Sequence, residues 1–280
     1  MTKPLPSGPL LLVRSTMETA IAGDFLTGRI AAFSTGCPDH PGPNEDAAAV
    51  IPVTDTQGVL AVADGVGGHP AGERASAIAL ERIVEALGPA VEAADDATDD
   101  GLELRGAIMN GFENANRAVL DQGSGGATTL AVVEIDGVHV RPYHAGDSAI
   151  LVVGQRGRVK LLTVSHSPVG YALESGMLGE SEALLDHDER HVVSNLAGSA
   201  DMRIEVGSPL ELARYDTLLV GSDGLFDNFE LGEIVDAIRK GSLERAADDL
   251  ARECLARMRS SSTDRPSKPD DLTFVAYRRA

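Results

Sequence analysis

The sequence predicts an α+β domain, and three observations lead there. Short apolar runs rich in Val, Leu, Ile and Thr recur along the chain: "AAAVIPV", "GVLAVAD", "TTLAVVEIDGVHVRPYHAGDSAILVVGQRGRVKLLTV" and "DTLLVGSD". In the long middle run the connections are too short for crossover helices, so its strands pair antiparallel. Between and after these runs lie stretches with apolar residues at helical spacing, and the order strands, two helices, strands, helices, strand puts helices on sheet faces.

Residues 1 to 27 carry weak signals and read as an N-terminal extension or an extra edge element; the domain proper is expected over residues 28–280. "GRIAAFSTG" opens the strand-rich part. "AGERASAIALERIVEALG" follows, with a stripe of Ala75, Ile78, Ala79, Ile83 and Leu87 that predicts a helix ending at Gly88. The acidic, Ala-rich "GPAVEAADDATDD" then reads as a solvated loop. A second helix is expected through Leu104, Ile108, Phe112, Ala115 and Val119. Asp136-Gly137 and Gln155-Arg156-Gly157 mark hairpin turns in the middle strands. After Asp227 a helical region breaks near Gly241, a polar loop "RSSSTDRPSKPD" follows, and "LTFVAYRR" forms the last strand.

Composition bounds the function. The chain has 280 residues, 43% of them hydrophobic and 24% charged, which suits one large soluble domain with a substantial core. A net charge of −19 argues against nucleic-acid binding and against adsorption to an anionic membrane. Cys37 and Cys254 are far apart and lack metal spacing, so neither a disulfide framework nor a zinc site is expected. The first fifteen residues are too short and too interrupted for a signal peptide or a membrane span. A cytoplasmic location is the expectation.

One stretch poses a sharper question. In "AVADGVGGHPAGERAS" (residues 61–76) an apolar run stops at Asp64, with three glycines in the next four residues. An Asp-Gly pair alone is a turn. Here, however, four apolar runs end or begin at aspartates, in "LAVADG", "YHAGDS", "LLVGSDG" and "PDDLTFVAY", and Asn44-Glu45-Asp46 precedes a fifth. Carboxylates brought together repel unless protons or cations neutralise them. Oxygen-only ligands favour Mg²⁺ or Mn²⁺ over zinc, and two such ions a few ångström apart are a common hydrolytic device. From residue types alone, a metal cluster and a set of buried turns both remain open.

The motifs "NED" (44–46), "DGVGGHPAGERAS" (64–76), "GATTL" (126–130), "HAGDSAILVV" (144–153), "GSDGLFD" (221–227) and "DDLTFV" (270–275) occur in an order that resembles the metal-dependent Ser/Thr protein phosphatases of the PPM, or type 2C, family, in a bacterial-like form. Each piece is weak, but six in order are specific. The resemblance implies two antiparallel sheets packed as a sandwich flanked by helices. It implies two Mn²⁺ or Mg²⁺ ions, with Asp64 bridging both, the Gly65 carbonyl on one, and Asp223 and Asp270 on the other. Asp46 and Glu45 would act partly through coordinated water, and Asp147 with Asp223 would hold a third, weaker ion. Catalysis would run through a metal-bridging water held by Asp64 and Asp223, with phosphorylated proteins and a Ser/Thr kinase as functional partners and a monomeric enzyme.

Several positions depart from the pattern. The arginine that most relatives carry three residues before the N-E-D motif is Pro41 here, and His40 and Arg29 are the candidate replacements as phosphate donors. Val66 stands where eukaryotic members often have a histidine; His69 and His144 read as structural. The usual Asp-His-Ser is Ser165-His166-Ser167, so His166 receives no catalytic role, and Asp271 replaces an asparagine, an extra carboxylate that either tunes the metal site or lies at the surface. Residues 167–200 fall in the variable flap region, where His187 and Arg190 could meet a phosphopeptide. Two alternatives follow from these departures: a phosphatase for small phosphate esters or one specialised regulator, and a non-catalytic phosphoprotein-binding module.

Overall fold

The computed structural model describes residues 8–38, 42–66, 71–96, 104–179, 192–260 and 265–280. Two antiparallel sheets face each other. The first runs β1 (Leu10–Val13), β4 (Ala47–Pro52), β5 (Gln57–Ala63), β8 (Leu130–Asp136), β9 (His139–Ala145), with the two-residue strands β12 (Glu205–Val206) and β13 (Leu210–Glu211) both paired to β9. The second runs β11 (Val159–Leu162), β10 (Ala149–Val153), β14 (Thr217–Gly221), β15 (Leu272–Arg279), β3 (Gly28–Thr35), β2 (Ile21–Phe25). A small ribbon joins β6 (Gly65–Val66) to β7 (Ala127–Thr128).

The continuous apolar runs are explained by burial on both faces. In β5, Leu60 and Val62 point between the sheets, whereas Val59, Ala61 and Ala63 point outward beneath helices. In β15, Val275 and Tyr277 face inward, and Leu272, Phe274 and Ala276 face outward. The period of two is intact, but both faces need apolar side chains. Helices α1 (Ala71–Asp96) and α2 (Leu104–Asp121) cover the first sheet. Helices α5 (Leu231–Ile238) and α6 (Leu243–Met258) cover the second. Two short helices, α3 (Pro168–Glu174) and the single turn α4 (Asp223–Phe226), lie between.

The expected hairpins form at both sites, with Gly137 and Gly157 in left-handed φ of 58° and 83°. Leu104, Ile108, Phe112, Ala115 and Val119 are all buried, as their spacing requires. Helix α1, however, does not stop at Gly88. It continues through Pro89 to Asp96, so the segment expected as a loop is helical as far as Asp96. Gly88 does not adopt the left-handed φ of a helix-terminating glycine, and Ala90 and Val91 beyond it pack on the core of that layer. Of the two readings of residues 1–27, the edge-element reading fits residues 10–25, since β1 pairs with β4 and β2 with β3.

Leu60 is fully buried between the sheets, whereas Leu120 on α2 is 43% exposed. Leu60→Ala is expected to cost about 2–5 kcal/mol in chemical denaturation, and Leu120→Ala to stay within about 0.5 kcal/mol of the parent.

Candidate metal centre

Strand register brings the acidic positions to one end of the sandwich. Ala47, just after Asp46, pairs with Ala63, just before Asp64. Gly221, two residues before Asp223, pairs with Phe274 and with Ala149, two residues after Asp147. Leu272, two residues after Asp270, pairs with Thr35. Asp46, Asp64, Asp223 and Asp270 perturb one another electrostatically, and Asp147 is part of the same field.

The local structure holds these side chains in place. Asn44 donates through Nδ2 to Ser34 Oγ (2.9 Å) and Ser15 O (3.0 Å), and its Oδ1 accepts from the Asp46 N–H (3.0 Å). Ser222 Oγ donates to Asp46 Oδ2 at 2.7 Å. The Asp64 backbone is fixed between Thr129 Oγ1, which accepts from its N–H, and Thr128 Oγ1, which donates to its carbonyl. Ser76 Oγ on α1 donates to the Glu45 carbonyl at 2.5 Å. A Cβ on Gly65 would lie 2.2 Å from Gly72 O, and one on Gly72 would lie 2.3 Å from Glu45 Oε2. Both glycines therefore let the chain close tightly around Asp64 and Glu45.

Electrostatics shows how uncomfortable this arrangement is without a counter-ion. Burial, then Asp271, pushes Asp46 well above the ordinary carboxylate range; burial, then Asp46, does the same to Asp64. Burial and then Asp223 raise Asp147 to about 8 and Asp270 to about 7. Asp223 is the exception: burial alone would raise it, but the neighbouring Lys268 ammonium outweighs that and holds it below the usual range. Hard oxygen donors, mutual repulsion and a glycine-walled cradle are what a divalent cation needs. The residues present fit such ions.

The expected metal ligands all lie among the described residues. Glu45, Asp46, Asp64, Gly65, Asp147, Asp223 and Asp270 lie at this end. Arg29 does not. It pairs with Arg278 at the opposite end of β3, six residues from Thr35, or roughly 20 Å along the strand. There it meets Asp24 at 3.1 Å, so its candidacy as a phosphate donor at this site is withdrawn. His40 lies outside the described residues, as do His69, His187 and Arg190. His144 and His166 stack with ring centroids 4.4 Å apart. His166 Nδ1 accepts from the Gly146 N–H at 3.1 Å, and His144 bonds the Val164 carbonyl at 3.0 Å. Burial holds His144 below its ordinary value, and the pair braces the turn that carries Asp147.

Two contributors, Lys268 and Arg14, escape the motif reading, and a third, Asp271, stands in it only as a departure from the family pattern. Asp271 is a staple: Oδ1 accepts from the Cys37 N–H at 2.7 Å and Oδ2 from the Glu45 N–H at 2.6 Å. Lys268, from the polar loop, reaches Asp223, Asp227 and Asp270. Arg14 follows β1, whose last residue Val13 pairs with Ala47, and its Nε lies 2.8 Å from Glu73 Oε1. Beside the carboxylates opens an apolar hollow of about 530 Å³, bordered by Asp147, Asp223 and Asp227 and walled by Leu162, Val169, Leu173, Phe226 and Phe229.

Residues 39–260 match the family described as Protein phosphatase 2C. The chain belongs to that family. It is 30% identical over 206 residues to a putative protein phosphatase 2C-type of Streptococcus pyogenes, spanning 69% of this chain and 77% of that protein. It is 27% identical over 213 residues to the serine/threonine phosphatase stp of Listeria welshimeri, spanning 73% of this chain and 81% of that one. Among solved structures, the catalytic domain of the serine threonine protein phosphatase PstP, in complex with 2 manganese ions, superposes with a TM-score of 0.65 at 23% identity, covering 89% of this chain and 97% of that one. The likeness establishes the sandwich fold that the family resemblance implied.

The raised carboxylates predict a pH effect. An acid whose folded pKa exceeds its unfolded value costs stability as pH rises from the unfolded pKa through the folded one. With EDTA present, the melting temperature is therefore expected to fall from about pH 4, where the unfolded carboxyls ionise, and to level off above about pH 8, once Asp270 and Asp147 have lost their protons in the folded protein as well. Saturating Mn²⁺ should remove that fall in the same thermal scan. Gly72→Ala, which drives a methyl toward Glu45, is expected to weaken Mn²⁺ binding in a calorimetric titration.

Proposed function

We propose that this chain is a metal-dependent protein serine/threonine phosphatase that removes phosphate from phosphoserine and phosphothreonine. The observation that carries the reading is the convergence of Asp46, Asp64, Asp223 and Asp270 at one end of the sandwich in a chain of the Protein phosphatase 2C family. Asp64 and the Gly65 carbonyl, with Asp223 and Asp270, would hold two Mn²⁺ or Mg²⁺ ions. Glu45 and Asp46 would support them, and Asp147 with Asp223 would offer a third position. Such ions supply an activated water and charge stabilisation at a phosphoryl group.

The chain's own residues do the rest. Asp64 and Asp223 fix the direction of approach, because their strands are locked into opposing sheets. The Asp271 staple and the Ser222–Asp46 bond keep the N-E-D segment from moving as charge develops. Substrate phosphate needs positive charge that Pro41 does not supply; Arg14, 64% exposed at the rim, is a described cation at this end. The apolar hollow beside Asp147 and Asp223 suits a peptide segment flanking the phosphorylated residue, which favours protein over small-ester substrates.

No helix among the described residues is long and apolar enough to cross a membrane. A monomer acting in the cytoplasm on phosphoproteins, opposite a Ser/Thr kinase, completes the reading.

Phosphopeptide hydrolysis followed by phosphate release is expected to require Mn²⁺ or Mg²⁺ and to stop with excess EDTA. Asp223→Asn should lower kcat/KM at least about a hundredfold. A folded protein that hydrolyses neither phosphopeptide nor p-nitrophenyl phosphate in any metal would replace the enzyme with a phosphoprotein-binding module. Turnover of the ester alone would make it a small-ester phosphatase.

A further inference from the structure

Lys268 is placed with care for a residue in a polar loop. Its backbone N–H donates to Asn228 Oδ1 and its carbonyl accepts from Asn228 Nδ2, both at 2.9 Å. Asn228 is itself completely buried, its Nδ2 also donating to Gly224 O at 2.8 Å and its carbonyl accepting from Arg257. This two-point clamp ties the loop to the turn α4 that begins at Asp223. From it the Lys268 ammonium reaches Asp223 Oδ2 at 2.5 Å, Asp227 Oδ2 at 2.9 Å and Asp270 Oδ2 at 3.2 Å. Three donors meet three carboxylates, and the side chain is only 22% exposed.

Two of those three partners are wanted elsewhere. Asp223 and Asp270 are the pair expected to hold one of the divalent ions, while Asp227 belongs to no expected ligand set. An ammonium and a divalent ion cannot share the same carboxylate oxygens at close range. We propose that Lys268 is a tethered counter-ion that competes with the divalent cation for Asp223 and Asp270, so that metal affinity is set by how readily its ammonium withdraws to Asp227. Metal-free, the ammonium offsets part of the carboxylate repulsion. With metal, Asp227 remains its partner. The proposal rests on the two-ion reading of the site.

Isothermal titration with Mn²⁺ tests it on wild type, Lys268→Met, Asp227→Asn and the double variant, with thermal melts in EDTA alongside. Lys268→Met is expected to bind Mn²⁺ roughly tenfold more tightly and to melt lower in EDTA. Asp227→Asn, which removes the alternative partner, should bind several-fold more weakly than wild type. In the Lys268→Met background that loss should shrink to less than about twofold, because nothing is left to withdraw. Lys268→Gln, which keeps polarity without charge, serves the same arm if the methionine variant does not fold without metal. Unchanged or weaker Mn²⁺ binding in the charge-free variants overturns the proposal. So does an Asp227→Asn loss of equal size in both backgrounds, which would mean that Asp227 acts on the ion directly. Failure of the wild type itself to bind Mn²⁺ would remove the two-ion reading and this proposal with it, and is distinguishable because it needs no variant.

Discussion

Carboxylates repel, and this chain assembles five of them, Asp46, Asp64, Asp147, Asp223 and Asp270, at one end of a sandwich where water is scarce. That constraint accounts for much of what surrounds them. Ser222 and the Asp271 staple hold the N-E-D segment against it. Gly65 and Gly72 bring α1 close enough for Ser76 to grip the Glu45 carbonyl. Lys268 supplies positive charge in direct contact with Asp223 and Asp270. A site built this way has free energy to gain from cations, and the fold carries the cost when none is bound.

The sandwich makes such a site affordable because its strands are rigid on both faces. β5 and β14, which end just short of Asp64 and of Asp223, are buried along their whole length. Their outward side chains are covered by separate helix layers, α1 and α2 on one side and α5 and α6 on the other. The carboxylates therefore sit at the tips of elements that cannot splay apart without opening three apolar layers at once. Tight packing behind the site resists the repulsion within it.

Much of this was legible in the sequence. The apolar runs announced the strands, Asp-Gly turns announced the hairpins, and the order of six short motifs announced the acidic cluster. The misses have physical causes. Gly88 looked like a helix end, but the buried face of α1 continues through Ala90 and Val91 and carries the helix past a proline. β1 is a four-residue edge strand with no fully buried residue, so its pattern is faint. Arg29 does not reach the site, because its register with Arg278 puts it at the far end of β3, and that register is not visible in the local sequence. Lys268 and Asp271 depended on long-range partners, Asn228 for one and the Cys37 and Glu45 amides for the other, which no local pattern records.

The Asp271 staple has a consequence for how this protein can change. By gripping the Cys37 and Glu45 amides with its two oxygens, one carboxylate closes the base of the segment between them. Asn44, bonded to Ser15, Ser34 and the Asp46 amide, has to stay, but the other residues between those two amides can be exchanged while Glu45 and Asp46 keep their places. Descent with variation is thus free to rewrite that stretch of sequence without touching the chemistry at Glu45 and Asp46, and a protein engineer would graft there first.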